Sequence, residues 1–249
     1  MPDLNVIKFD IDGPTLTGLV EWEAIPAEII ASGNPVQRGH TYFSTEADKF
    51  SAGVWDCTEN ELKFAPYDVD EFMLVLEGSI TLKDSSGNSH VYRAGESFII
   101  PKGCECTWTQ SEYCRKYWAI LDDAENQIRE NEGFNAIRID TSASMPAVPQ
   151  NDPTPYLSDI PEMGLLSLYK DQSGKFEVGL WECSPMQRVP ATLVRSELMH
   201  ILEGSGSITN ADGIVFNFKA GDTFLVPIGM GYQWHSTEYV KKIFCSYTP

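Results

Sequence analysis

Histidine is scarce in this chain: four in 249 residues, at His40, His90, His200 and His235, scattered one to a segment. No chemistry is assigned to that set. Positive charge is also short, 18 Lys and Arg against 36 Asp and Glu, which gives a formal net charge of -18 and a pI near 4.5. Such a surface repels a phosphate backbone and disfavours anionic membranes, so nucleic-acid and membrane partners are excluded. No block of acidic residues singles out a cationic partner, and the acidity reads as solubility. No apolar run reaches the length of a membrane-spanning helix. The start, MPDLNVIKFDIDG, lacks the basic region and apolar core of a secretory leader. The expected location is therefore the cytoplasm, where the six cysteines stay reduced and serve as small core residues.

What the chain has is itself twice. Gly53-Val54-Trp55-Asp56-Cys57 matches Gly179-Leu180-Trp181-Glu182-Cys183, an offset of 179 − 53 = 126. The same offset aligns Glu71–Gly78 with Glu197–Gly204, Ala94–Pro101 with Ala220–Pro227, Trp108 with Trp234, and Arg115-Lys116 with Lys241-Lys242. An offset that does not drift is the mark of an internal duplication. Upstream the register changes: residues 6–10 resemble 136–140, an offset of 130, so the second arm is four residues shorter. The polar stretch 122–132 reads as a short helix or loop, and 141–161, rich in Pro, Ser and Asp, as an extended surface arm. Two domains follow, 1–130 and 131–249.

Each copy divides into apolar or alternating segments of four to six residues closed by Gly, Pro or Asp. That pattern predicts an all-β fold of antiparallel barrels. Only residues 21–30 carry a hint of helical period.

The order acidic residue, apolar strand, Leu-Glu-Gly, turn, Ala-Gly-Asp/Glu, apolar strand, Pro-x-Gly resembles the two motifs of the cupins. The resemblance implies two tandem jelly-roll (double-stranded β-helix) barrels, a bicupin. Glu71 with Gly78 and Glu197 with Gly204 fit the end of the first motif. Gly95, Pro101 and Gly103, and Gly221, Pro227 and Gly229, fit the second. In that family three His and one Glu hold a divalent metal. Here the His positions fall on Ala65, Tyr67 and Cys106 in one copy and on Ala191, Leu193 and Tyr232 in the other. The alternative spacing of the first motif gives Phe64 and Pro66, or Pro190 and Thr192. Only the glutamate survives. A single carboxylate does not make a divalent-metal site, which needs about three protein ligands. No tightly bound metal and no cofactor is expected. Gly-Val-Trp-Asp-Cys-Thr, Asp-Glu-Phe, Ile-Pro-Lys-Gly and Arg115-Lys116-Tyr117 are most similar to the (S)-ureidoglycine aminohydrolase and ethanolamine-utilisation protein Q subgroup. The aminohydrolases keep a metal set in one barrel, and this chain lacks it.

The resemblance points Glu71 and Glu197 into their barrels. There they grip a ligand or transfer protons, or are buried carboxylates bonded to a neighbour. Without metal, burial should raise their pKa. Tyr67, Cys106 and Tyr232 stand at former ligand positions as space-filling or ligand-binding side chains. Cys104, Cys106 and Cys114 read as core rather than a zinc site. His200, three residues from Glu197, falls on the opposite strand face. Of Trp234 and His235, alternation puts one inside without saying which. The recurring Trp55, Trp181, Trp108 and Trp234 read as core packing, with stacking in a pocket the lesser reading. The expected partner is a small polar metabolite in a barrel mouth. An aminohydrolase-like enzyme and an assembly protein with filled barrels stand as alternatives, and a homodimer is compatible with the fold.

Overall fold

The computed structural model describes residues 4–14, 18–45, 49–122 and 133–249. The chain forms two compact units, residues 10–139 and residues 4–9 with 140–249, called here the first and second barrels. The expected boundary at 130, and the helix or loop at 122–132, fall almost wholly on residues 123–132, outside the described residues.

Each barrel is two antiparallel sheets facing one another. In the first, the larger sheet runs Ile137–Arg138, Ser97–Ile100, Asp70–Glu77, Cys114–Leu121, Phe50–Cys57, Gln37–Ser44, Val20–Glu21. The facing sheet runs Ser89–Arg93, Ser79–Lys83, Glu105–Gln110, Asn60–Leu62, Ile30–Gly33, with Ala65–Pro66 also paired to Glu105–Gln110. The second barrel repeats this. Its larger sheet is Ile7–Lys8, Thr223–Val226, Ser196–Glu203, Val240–Tyr247, Phe176–Cys183, Met163–Lys170. Its facing sheet is built on Gly231–Ser236, Ser205–Asn210 and Val215–Lys219. The all-β jelly-roll expectation holds. The hint of helix at 21–30 does not: that stretch ends the strand Val20–Glu21, makes one 3-10 turn at Ala27–Ile29, and enters the next strand. The turn buries none of its residues, so no packed apolar face supports a helix there.

The two-residue arms that resemble each other occupy equivalent places. Ile7 pairs with Leu225 at the edge of the second barrel, and Ile137 with Ile99 at the edge of the first. The Leu-Glu-Gly turns show why glycine ends the motif strand. Gly78 and Gly204 have φ of 71° and 80°, and a Cβ there would meet the carbonyl oxygens of Tyr113 and Tyr239 at 2.1 and 2.0 Å.

The motif strands Asp70–Glu77 and Ser196–Glu203 are buried over most of their length, which explains a continuous apolar run where alternation would otherwise appear. Alternation survives in direction. Met73 and Val75, and Met199 and Ile201, pack in the barrel cores. Glu71 and Glu197, two residues before, share that inward face. No described helix is long and apolar enough to cross a membrane.

Candidate functional site

The inward glutamates do not stand alone. Lys116 lies opposite Val75 in the neighbouring strand. Its side chain runs back along the sheet, with Nζ 3.2 Å from Met73 Sδ and donating to Glu71 Oε1 at 2.7 Å. Lys242 lies opposite Ile201 and does the same, 3.2 Å from Met199 Sδ and 2.7 Å from Glu197 Oε1. All four charged residues are at most 6% exposed. Two indoles flank each ammonium. Lys116 Nζ is 5.0 and 4.9 Å from the ring centres of Trp55 and Trp108. Lys242 Nζ is 4.8 and 5.3 Å from those of Trp181 and Trp234. A buried charge needs a close counter-charge and further polarisable contacts, and this arrangement supplies both in each barrel. The recurring tryptophans therefore flank a cation and line the cavities as well as packing, so the lesser, pocket-lining reading applies beside core packing.

The third partner differs. In the first barrel Tyr67, itself a former ligand position, donates a short hydrogen bond to Glu71 Oε2. Burial and the adjacent carboxylate push the Tyr67 phenol well up, so it remains a donor. In the second barrel Leu193 holds that position, and Arg195 takes over. Its Nε is 2.8 Å and its terminal nitrogen 2.7 Å from Glu197 Oε2, two charged nitrogens converging on one carboxylate oxygen. Burial alone would raise the Glu197 pKa, but the charges and hydrogen bonds of Lys242 and Arg195 outweigh it and hold the carboxyl at about 2. The raised pKa expected for a metal-free glutamate is thus reversed at Glu197, because the metal's charge is replaced by two cationic side chains.

Each barrel has a cavity. The second holds about 390 Å³ beside Glu197, Lys242, Arg195, Arg188 and Tyr232. The first holds about 260 Å³ beside Glu71, Lys116 and Tyr67 under mainly aromatic walls. Glu71, Tyr67, Glu197 and Tyr232 thus line cavities. Cys106 does not line either. It is 5% exposed in the first core, and its hydrogen bond to Cys104, with burial, raises its thiol pKa while holding Cys104 near 7. Of the undecided pair, Trp234 is inside and His235 exposed. His200 hydrogen-bonds Thr223 Oγ1 at 2.8 Å, and burial lowers its pKa to about 4.

Sequence reasoning missed Lys116, Lys242, Arg188 and Arg195. The first two left a signal: a basic pair, Arg115-Lys116 and Lys241-Lys242, at the same offset in a mostly apolar strand, of which alternation turns one member inward. The arginines left none, because the first copy has Leu62 and Val69 in their places.

The family's metal does not fit these residues. Among the described residues no three His, Cys, Asp or Glu side chains converge. The surviving glutamate is already bonded to an ammonium in both barrels.

Two inward-lined jelly-roll barrels with the motif glutamate at each centre define a bicupin. The EutQ-like cupin domain family matches the chain twice, at residues 44–118 and 170–244, and the chain belongs to it. No curated protein matches the sequence. Among solved structures, a protein of unknown function from Pseudomonas syringae pv. tomato, of the DUF861 family, is similar at 21% identity and TM-score 0.78, over 98% of this chain and 100% of its own. A cupin 2 conserved barrel domain protein from Leptotrichia buccalis is similar at 11% identity and TM-score 0.59, over 92% and 100%. A salicylate 1,2-dioxygenase variant from Pseudoaminobacter salicylatoxidans, in complex with gentisate, is similar at 12% identity and TM-score 0.54, over 80% and 69%. At these identities the likeness is one of fold.

Proposed function

We propose that the chain is a metal-independent binding bicupin whose second barrel takes a small carboxylate-bearing metabolite. One observation carries this reading: Arg188, at the second cavity, has no acidic partner among the described residues, and its buried Nε has no hydrogen-bond acceptor. Its guanidinium instead lies 5.9 and 6.0 Å from the rings of Tyr156 and Tyr232. The other charges are engaged. Glu197 is bracketed by Lys242 and Arg195, and Glu177, also at the cavity, faces Lys170 at 3.9 Å. The spare charge in this acidic protein is therefore positive, and a planar guanidinium with free donors suits a carboxylate. A volume of about 390 Å³ falls in the range of small-molecule pockets.

An aminohydrolase-like reaction draws support from the retained glutamates, but each is tied to a lysine, and Glu197 also to an arginine, which leaves neither free as a base. Filled barrels of an assembly protein fit poorly with two lined cavities. A thermal-shift screen against carboxylates, amines, sugars and ureides tests the proposal. Carboxylates should stabilise the protein, and Arg188→Ala should remove the effect. Stabilisation by amines alone, or stoichiometric Mn, Fe, Zn or Ni in the purified protein, would overturn it.

A further inference from the structure

We propose that the first barrel is a second ligand site of different chemistry, for an uncharged aromatic molecule bearing a hydroxyl or carboxamide. Its cavity of about 260 Å³ is walled by four indoles, those of Trp22, Trp55, Trp108 and Trp118. Two close backbone approaches seat two of them. A Cβ on Gly39 would lie 2.3 Å from the Trp22 ring, and one on Gly53 2.7 Å from the Trp118 ring. Glycine at those positions lets the indoles lie against the sheet.

The charges at this cavity are satisfied internally. Lys116 and Tyr67 both donate to Glu71, so no spare charge calls for an ionic ligand, and aromatic walls make one costly. Two polar atoms are left over. Trp118 Nε1, a donor, and Asn60 Oδ1, an acceptor, are buried without partners among the described residues, and both residues are 5% exposed and line the cavity. The Asn60 amide nitrogen is already used, donating to the Thr58 carbonyl at 2.9 Å. Buried groups left unpaired are costly and rare. Packing does not require them here: the second barrel has Met186 and Phe244 at the same places, both apolar. A ligand hydroxyl or carboxamide both donates and accepts, so it carries the complement that Asn60 Oδ1 and Trp118 Nε1 lack, while its ring suits the indole walls.

Phenol and benzamide, with toluene as the comparison, are titrated into the full-length protein and followed by tryptophan fluorescence and calorimetry. Phenol and benzamide should bind with Kd below about 1 mM. Trp118→Phe keeps a ring but removes the donor. It should weaken phenol about tenfold and leave toluene unchanged. Trp22→Ala, at the half-buried mouth, should weaken all three. Arg188→Ala, in the second barrel, should leave phenol binding intact while removing carboxylate binding, which separates the two sites. The proposal is overturned if neither phenol nor benzamide binds, if Trp118→Phe leaves phenol affinity unchanged, or if Arg188→Ala abolishes it.

Discussion

The two barrels share a lysine, a glutamate, a methionine and two tryptophans at equivalent positions, and they part company at the next residue out. In the first, a tyrosine caps the glutamate and the cavity is aromatic and internally neutral. In the second, an arginine caps it and a further arginine, Arg188, has no acidic partner among the described residues. On the proposed reading, the buried ion pair is scaffold and the residues around it set specificity. A cupin barrel without metal still needs its central carboxylate neutralised, and here a lysine clasped between indoles does so twice. The copies then differ by single residues, Val69 against Arg195 and Leu62 against Arg188, to which the proposal assigns the difference in ligand chemistry.

The largest expected effect breaks the shared part. Lys116→Met leaves Glu71 buried without its counter-charge and should cost about 3–5 kcal/mol in denaturant unfolding, whereas Lys242→Met leaves Glu197 the Arg195 guanidinium and should cost less. Glu71→Leu combined with Lys116→Met should cost much less than Lys116→Met alone, because the pair is removed as a unit. Equal losses in single and double variants would show that the pair is not the scaffold.

Acid should sharpen the difference. Glu197 titrates at about 2 in the fold against 4.5 for an ordinary glutamate. Its folded pKa is depressed, so the stability it contributes is present above about pH 4.5 and is lost as pH falls toward 2, at most about 3 kcal/mol. Unfolding of the protein and of Glu197→Gln, compared between pH 6 and pH 2, checks this: the gap should close on acidification. Smaller is Tyr67→Phe, which removes one hydrogen bond to Glu71 and should cost about 1 kcal/mol in the same measurement. Its counterpart Leu193 makes no such bond, and Leu193→Ala should act only through lost packing. Smallest is His200, whose ring should remain neutral by NMR until the pH nears 4. Protonation near the ordinary value of 6.5 would mean that its strand face is more open than described.

Much of this architecture was legible in the sequence. Glycine, proline and aspartate punctuate short strands, and the constant offset of 126 fixes the duplication, because turns and strand lengths are local properties. The site was less legible. Strand alternation points Glu71 and Glu197 inward, but Lys116 meets Glu71 only because the cross-strand register sets it opposite Val75, four residues beyond Glu71, from where its long side chain reaches back, and no local pattern encodes that reach. Arg188 and Arg195 lie outside the repeating core, where the copies diverge. Nor does the sequence of 6–10 say which sheet it joins, since a two-residue strand carries too little pattern to specify a partner.

On the proposed function, two arginines that the first barrel lacks, Arg195 on Glu197 and Arg188 beside the cavity, make the second barrel alone an anion site. Calorimetric titration of small mono- and dicarboxylates into the protein and into Arg188→Ala tests it most directly. One carboxylate bound per chain, with affinity reduced about 10- to 100-fold by Arg188→Ala, is the predicted result. Binding of two per chain, or binding indifferent to Arg188, would contradict it.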